Sequence, residues 1–213
     1  HDWWEAFFLK FDFSSVSYSL GDFIIYGNTK RRASDLYYVR VHARDVSYSD
    51  VLLHAGEFIA RGRGSYSELH QLSARIGKAW ARGSIKFVTN PDRIKGPESF
   101  RLDMDAKLTL EDAAKLFGED IAQIIHNFKT ESLPQIQMEG AIFNKGYPQY
   151  TGKSYFDLSA SCDQPVSYIG IPLDHLNFDL YGRNHVTHLR EMEFGYADGQ
   201  GQAAIDVRTP QNG

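Results

Sequence analysis

The sequence predicts a mostly β protein that is organised as a long antiparallel sheet with one apolar and one polar face. Apolar and polar residues alternate with a period of two over most of the chain, and glycine- and proline-containing turns separate the alternating runs. Only one segment has the three- and four-residue spacing of an amphipathic helix. Aromatic residues make up 14% of the chain, which also favours strands.

Composition limits the class of protein. The chain has 213 residues, of which 42% are hydrophobic, so it is long enough for one large β domain or two ordinary ones. Its net charge is −4 and its pI is near 6.1, so it lacks the global basic field that attracts nucleic acid, and no nucleic-acid partner is expected. No apolar run reaches the roughly 18 residues that predict a membrane-spanning helix.

The start of the chain and its cysteine content give two further expectations. The chain begins His1-Asp2-Trp3-Trp4, without an initiator methionine or a signal peptide, so we expect a piece of a longer protein. Any membrane anchor or export signal would then lie outside it. The single cysteine, Cys162, excludes an intramolecular disulfide and a multi-cysteine metal site, and it is expected to be a small buried residue.

The first half of the chain contains the clearest strand. Residues 100–108 place Phe100, Leu102 and Met104 on one face and charged residues on the other. Residues 2–10 are apolar at mixed spacing, which fits the end of a helix or the start of a strand and favours the helix. Further strands are predicted at 20–26, 36–44, 53–60, 66–78 and 79–87.

One amphipathic helix is predicted at residues 110–129. Thr109 is a suitable N-cap, and Glu111 and Asp112 occupy the first turn, where carboxylates suit the helix dipole. The helix should end before Pro134, with Gly118 as the point where it could kink or split in two, and it should cover an end or an open side of the adjacent sheet. It would separate residues 1–108 from residues 131–213 within a single β-rich region covering 1–213.

Alternation returns after the helix and brings the predicted total to ten or eleven strands. The clearest stretch runs from Pro172 to Val207, in which strands alternate with glycine turns. The other runs are 136–142 and 156–160. Residues 36–64, 79–88 and 192–207 also form a weak internal repeat of a strand, a glycine and a second amphipathic strand.

No motif in the sequence points to catalysis or to a bound metal. His185 and His188 would lie on opposite faces of a strand and could not share one ion. Asp103 and Asp105 share a face, but carboxylates on an exposed polar face usually solvate it. We therefore expect no enzymatic activity, no cofactor and no metal site.

The C-terminal stretch resembles the closing repeats of the AsmA-like family, which includes AsmA and TamB of Gram-negative envelopes. The family unit is an amphipathic strand, a second strand leading to a glycine turn, and a short strand ending in an acidic and an aliphatic residue. The places of this unit are taken by Gly195, Gly199, Gly201, Ile205 and Asp206. The helix at 110–129 followed by Leu133-Pro134 is also similar to a divergent AsmA-like branch. The resemblance covers roughly residues 35–207, whereas the first 30 residues match no family motif.

The resemblance implies an elongated, curved, groove-like sheet of repeating strand units with an apolar interior. It also implies a periplasmic location, a parent protein anchored in the inner membrane, and a role in moving phospholipid toward the outer membrane and in envelope assembly. The expected partners are phospholipid or another acyl-chain lipid, together with envelope proteins. The candidate groove-lining residues are Phe100, Leu102, Met104, Ile136, Met138, Ile142, Phe156, Leu158, Leu176, Phe178, Leu180, Met192 and Phe194.

Other functions fit the same alternation. The main alternative is a structural or adhesive β-repeat module with a closed core and no bound lipid, because alternation alone does not distinguish a groove from a sandwich interior. A fragment of an outer-membrane β-barrel would require aromatic girdles, which are not evident in the sequence. A carbohydrate-active β protein would require acids and exposed aromatic residues clustered in one cleft.

Overall fold

The chain folds mostly into β-strands. A computed structural model describes residues 10–27, 36–89, 97–117, 122–123, 125–143, 152–183 and 186–208. Strands account for 73% of the structure, which confirms the predicted fold class. The helix predicted for residues 2–10 lies outside the described residues, except for Lys10, which is in a turn.

Seventeen strands and one helix of defined bounds occur in the described part of the chain. They are β1 (Phe11–Asp12), β2 (Tyr18–Tyr26), β3 (Leu36–Arg44), β4 (Val46–Tyr48), β5 (Val51–Leu53), β6 (Ala55–Arg63), β7 (Tyr66–Ile76), β8 (Ala79–Thr89), β9 (Pro97–Lys107), α1 (Leu110–Phe117), β10 (Phe128–Thr130), β11 (Gln135–Phe143), β12 (Tyr155–Cys162), β13 (Val166–Tyr168), β14 (Ile171–Leu173), β15 (Leu176–Arg183), β16 (Val186–Tyr196) and β17 (Gly199–Arg208).

Eleven long strands form one antiparallel sheet. Their order is β17-β16-β15-β12-β11-β9-β8-β7-β6-β3-β2, so β17 and β2 are the edge strands. β9 and β11 pair directly, from Ser99 opposite Phe143 at one end to Lys107 opposite Gln135 at the other. The sheet is therefore continuous, although a helical segment lies between these two strands in the sequence. The long strands agree with the ten or eleven that alternation predicts.

Two small sheets lie in the connections between long strands. The order of one is β1-β4-β5 and that of the other is β10-β13-β14. The β4–β5 pair connects β3 to β6, and the β13–β14 pair connects β12 to β15. None of these six strands was predicted from the sequence, because two or three residues are too few to display alternation.

The chain contains an internal duplication with an offset of 120 residues. The sequence Val46–Tyr48 of β4 recurs as Val166–Tyr168 of β13, and in each case the strand pairs with a following three-residue strand. The ring of Tyr48 packs on Phe11 of β1 at 4.7 Å between centroids, and the ring of Tyr168 packs on Phe128 at 4.8 Å.

Hydrogen bonds and irregularities of the large sheet follow the same offset. The His54 amide donates to the Arg75 carbonyl at 2.9 Å, and the Asp174 amide donates to the Gly195 carbonyl at 2.9 Å. The register shifts between Leu69 and Leu72 in β7 and between Leu189 and Met192 in β16. We therefore describe β1–β8 and β10–β17 as two copies of one unit, which β9 and α1 connect. The repeat predicted at 36–64, 79–88 and 192–207 was wrong in its spacing, since residues 192–207 correspond to residues 72–87.

The predicted helix is present but shorter than expected. The hydroxyl of Thr109 accepts a hydrogen bond from the Asp112 amide at 3.0 Å, which confirms the N-cap. The prediction that the helix continues to residue 129 was wrong, because residues 128–130 form β10. α1 ends at Phe117, but residues 122, 123 and 125 are again helical, and the His126 amide donates to the Ala122 carbonyl at 2.9 Å. Phe128 has helical spacing in the sequence, but its ring packs on Tyr168 of the neighbouring strand β13.

The helix covers one end of the large sheet, as predicted. Ala113 of α1 and Leu108 are completely buried with Ala106 of β9 and beside Ala79 of β8. Leu116, Ile125 and Leu133 pack around this cluster. Cys162 is also buried, as expected, beside Val166 and Leu176.

Candidate functional site

All thirteen predicted lining residues lie on one face of the large sheet, which we call the apolar face. Residues directly opposite each other on antiparallel strands point to the same side of a sheet. Such partners form a row across four adjacent strands, which comprises Met104, Met138, Leu158 and Leu180. The same register joins the rest through Phe100–Ile142, Leu102–Gly140–Phe156, Ile136–Ala160–Phe178–Met192 and Leu176–Phe194.

The apolar face extends well beyond the predicted residues. One row of directly opposed residues crosses all eleven strands of the sheet. It comprises Phe23, Val39, Ala60, Leu69, Ile85, Leu102, Gly140, Phe156, Gly182, Thr187 and Val207. The residues of this row from β2 to β8 and in β17 were not among the candidates, although the same alternation could have identified them.

Two β-bulges keep the apolar residues on this face. Leu69 and Leu72 are three positions apart, and an uninterrupted strand would place them on opposite sides. The bulge between them includes Gln71, whose φ is 54°, and both leucines face β8 opposite Ile85 and Gly83. Leu189 and Met192 have the same arrangement in the second unit.

Aromatic rings pack over glycines on the apolar face. The ring of Phe156 occupies the space that a side chain at Gly182 would need, and the ring of Tyr37 does the same over Gly62. These pairs occupy equivalent places in the two units. A glycine at these positions therefore lets a large ring lie flat across the neighbouring strand.

The apolar face is only partly covered. Of the thirteen predicted residues Leu176 alone is buried, whereas Ile142 is 63% exposed and Phe156 is 39% exposed. The other ten are half-buried. Two parts of this face are covered. At the end where α1 and the small sheets lie, Val166 and Leu173 join the cluster that includes Phe178, Met192 and Phe194. In the first unit, a separate buried cluster is packed against Phe100 and Leu102 and comprises Ala60, Leu69, Ile85 and Phe87.

The opposite side of the sheet, which we call the polar face, carries cross-strand ion pairs. These are Arg40–Glu57 at 2.9 Å, Arg61–Glu68 at 2.8 Å, Arg82–Asp105 at 2.6 Å, Arg190–Asp157 at 2.6 Å and His188–Asp206 at 2.6 Å. Asp105 also accepts a hydrogen bond from Gln135, and Asp103 is exposed. The two aspartates thus belong to a charged, solvated surface.

Glu68 is the most buried charged group of the polar face. Its side chain is 4% exposed and lies 2.8 Å from Arg61, 3.7 Å from Lys86 and 4.0 Å from His70. Burial opposes ionisation of the carboxyl group, but the hydrogen bonds from Arg61 and Tyr66 and the charges of Arg61 and Lys86 together outweigh it and lower the pKa of Glu68 below its ordinary value.

We expect Glu68→Gln to destabilise the protein by about 1–2 kcal/mol at neutral pH, because it removes the negative charge that strengthens the hydrogen bond donated by Arg61. A carboxylate whose pKa is lowered by folding stabilises the fold above its unfolded pKa, and this stabilisation disappears as the pH falls through the folded value. The difference in unfolding free energy between Glu68→Gln and the unmodified protein should therefore shrink when urea unfolding is measured at a pH below 4.5, the ordinary pKa of a glutamate side chain.

Glu57→Gln is the matched control. Glu57 lies on the same face and pairs with Arg40, but its side chain is 35% exposed. Its loss should cost less than about 0.5 kcal/mol, as is usual for exposed ion pairs. A Glu68→Gln effect that stayed constant between pH 7 and pH 3 would contradict the assigned charge interaction.

Two cavities lie on the polar face. One, of about 310 Å³, is lined by Gln137, Ser159, Asn177 and Asp179 among others, and the side-chain oxygen of Asn177 has no hydrogen-bond partner among the described residues. The other, of about 900 Å³, surrounds Glu68.

Metal-binding geometry does not occur within the described residues, where no three or more histidine, cysteine, aspartate or glutamate side chains converge on one point. His188 pairs with Asp206, and His185 lies outside the described residues. None of the described helices has the length and apolarity needed to cross a membrane.

Comparison of the chain with protein-family models, with curated proteins and with solved structures finds no match.

Proposed function

We propose that the apolar face holds the acyl chains of phospholipid or a similar lipid by non-covalent contact. The observation that carries this proposal is the single row of apolar residues, interrupted only by glycines and Thr187, that crosses all eleven strands of the sheet. Within this row Phe23, Phe156 and Val207 are exposed, whereas Ala60, Leu69 and Ile85 are buried. A partly exposed apolar surface of this extent is unfavourable in water, and acyl chains would remove it from solvent.

The two faces of the sheet would have separate tasks. The apolar face provides contact by Met104, Met138 and Leu158, whose side chains can adapt to flexible chains. The polar face, with its cross-strand ion pairs, keeps the other side of the sheet solvated. The helix α1 and the two small sheets cover one end of the apolar face, and a buried cluster around Ile85 and Phe87 occupies part of the first unit. Acyl chains would therefore lie across the part that stays exposed, which includes Ile142 and Phe156.

The biological setting of the proposal follows from the resemblance of the C-terminal stretch to AsmA-like proteins. In this setting the chain is a non-enzymatic part of a periplasmic envelope protein whose parent is anchored in the inner membrane. It would hold or pass phospholipid between the inner and outer membranes and contribute to outer-membrane assembly, with envelope proteins as further partners.

The first experiment is native mass spectrometry of the protein purified from the periplasm of a Gram-negative host, with lipid extraction in parallel. We expect co-purifying phospholipid in near-stoichiometric amount. The double variant Met138→Asp/Ile142→Asp should retain at least about tenfold less lipid, because a carboxylate on the apolar face cannot contact an acyl chain without losing hydration.

Gln137→Asp is the matched control. Gln137 is an exposed residue of the same strand, β11, and faces the opposite side of the sheet, so its substitution should leave bound lipid unchanged. Thermal melts of all variants distinguish lost lipid from lost fold. A protein that purifies without lipid and takes none from phosphatidylethanolamine/phosphatidylglycerol vesicles would instead support the alternative, a structural or adhesive module with no bound lipid.

A further inference from the structure

The duplication assigns a structural counterpart to each edge of the large sheet. β17 is the last strand of the second unit, and its counterpart in the first unit is β8. β8 has neighbours on both sides, β7 and β9, whereas β17 pairs only with β16 among the described residues. At the other edge, β2 corresponds to β11, which pairs with both β12 and β9. Both edge strands are thus counterparts of strands that already pair with β9.

Strand direction determines what can pair with these edges. All neighbours in the sheet are antiparallel, and β17 and β2 are the first and last of eleven strands, so they run in the same direction. If the apolar faces of two copies lie on the same side, direct pairing of β17 with β2 of another copy would therefore be parallel and would break the pattern. A strand that runs in the opposite direction, as β9 does, continues the antiparallel pattern from β17.

The edge strand β17 also presents apolar side chains that a further strand would cover. Ile205 is 51% exposed and Val207 is 55% exposed, both on the apolar face. Their counterparts in the first unit, Ile85 and Phe87, are buried beside β9. The difference in exposure between these two pairs shows how much apolar surface a strand in the place of β9 would remove from solvent at β17.

We propose that the exposed edge of β17 is a docking site for one extended amphipathic peptide strand with the pattern of β9. Main-chain hydrogen bonds would supply affinity, and side chains on alternating positions would supply specificity. The register follows from the first unit, in which Ile85 lies opposite Leu102 and Phe87 opposite Phe100. Ile205 and Val207 would accordingly face apolar residues two positions apart on the incoming strand.

The polar face indicates the charge of this partner strand. In the first unit Lys86 lies opposite Arg101, a like-charge pair. Its counterpart in β17 is Asp206, so the incoming strand should place a basic residue there. If a strand with the sequence of β9 paired with β17, its Arg101 would face the acidic Asp206, whereas in β9 itself Arg101 faces the basic Lys86. A peptide with the sequence of β9 is therefore a suitable probe.

The test uses a fluorescently labelled peptide with the sequence of residues 97–107, measured by anisotropy against the whole chain. We expect saturable binding, and at least about tenfold weaker binding of a peptide of the same composition in which the alternation is scrambled. Ile205→Lys/Val207→Lys on the apolar face of β17 should weaken binding by a similar factor. Gln202→Lys, on the polar face of the same strand, is the control; it corresponds to Arg82, which pairs with Asp105 in the first unit, so it should bind the peptide at least as tightly as the unmodified chain does.

Disulfide trapping tests the register. In a Cys162→Ala background, Ile205→Cys should crosslink to the peptide that carries cysteine at the position of Leu102, and much more slowly to one with cysteine at the position of Asp103. Absence of saturable binding, equal binding of the scrambled peptide, or crosslinking without positional preference would overturn the proposal. Concentration-dependent dimerisation that the peptide does not inhibit would assign the edge to a second copy of the chain and would also overturn it.

Discussion

Gly83→Val should cost more than about 4 kcal/mol of stability and leave little folded protein at 37 °C. A side chain at this position would overlap the carbonyl oxygen of Asp103 and would begin 3.0 Å from the Cα atom of Met104. Both obstacles belong to the backbone of β9, which cannot rotate away as a side chain could. Relief requires that β8 and β9 separate near the middle of the large sheet. Urea unfolding followed by circular dichroism measures the loss.

Gly21→Val is the matched control for this substitution. Gly21 lies in the edge strand β2, and the nearest atom to an added side chain is the Arg40 carbonyl oxygen at 3.6 Å, an ordinary contact distance. We expect a change within about 1 kcal/mol, because valine suits an extended strand. Equal losses for the two variants would show that valine in any strand is destabilising and would refute the close approach of β8 and β9.

The faces of the long strands were predictable from the sequence because they depend on local alternation. Phe100, Leu102 and Met104 alternate with charged residues, and this alone places them on one side. The pairing of strands does not follow from alternation. The sequence therefore could not show that Met104 of β9 lies opposite Met138 of β11, since a helix separates these strands along the chain. The extent of the apolar face therefore became visible only when the pairing of all eleven strands was known.

Short and duplicated elements were not recognised for different reasons. β4 and β13 have three residues each, and their shared Val-Ser-Tyr sequence is too brief to stand out without the structural equivalence. The helix was overextended because Phe128 has helical spacing, whereas its ring is used in contact with Tyr168. In both cases tertiary contacts, which periodicity does not report, decided the local structure.

Leu108→Ala should destabilise the protein by about 3 kcal/mol or more. Leu108 is completely buried and is the largest side chain with so little exposure among the described residues. The buried residues clustered with it are Ala79, Ala106 and Ala113, whose short side chains cannot extend into the space that the leucine leaves. The cavity would consequently persist, and its cost would add to the lost transfer free energy of the leucine side chain.

The same substitution should loosen α1 from the end of the apolar face, because Leu108 immediately precedes the helix cap and packs beside Ala113. Unfolding in urea measures the stability, and binding of an apolar dye measures newly accessible surface. Ile142→Ala removes a similar side chain that is 63% exposed, so it should cost less than about 1 kcal/mol and leave dye binding unchanged. If both variants lost the same stability, α1 would not be anchored through Leu108, and the covered end of the apolar face would need another explanation.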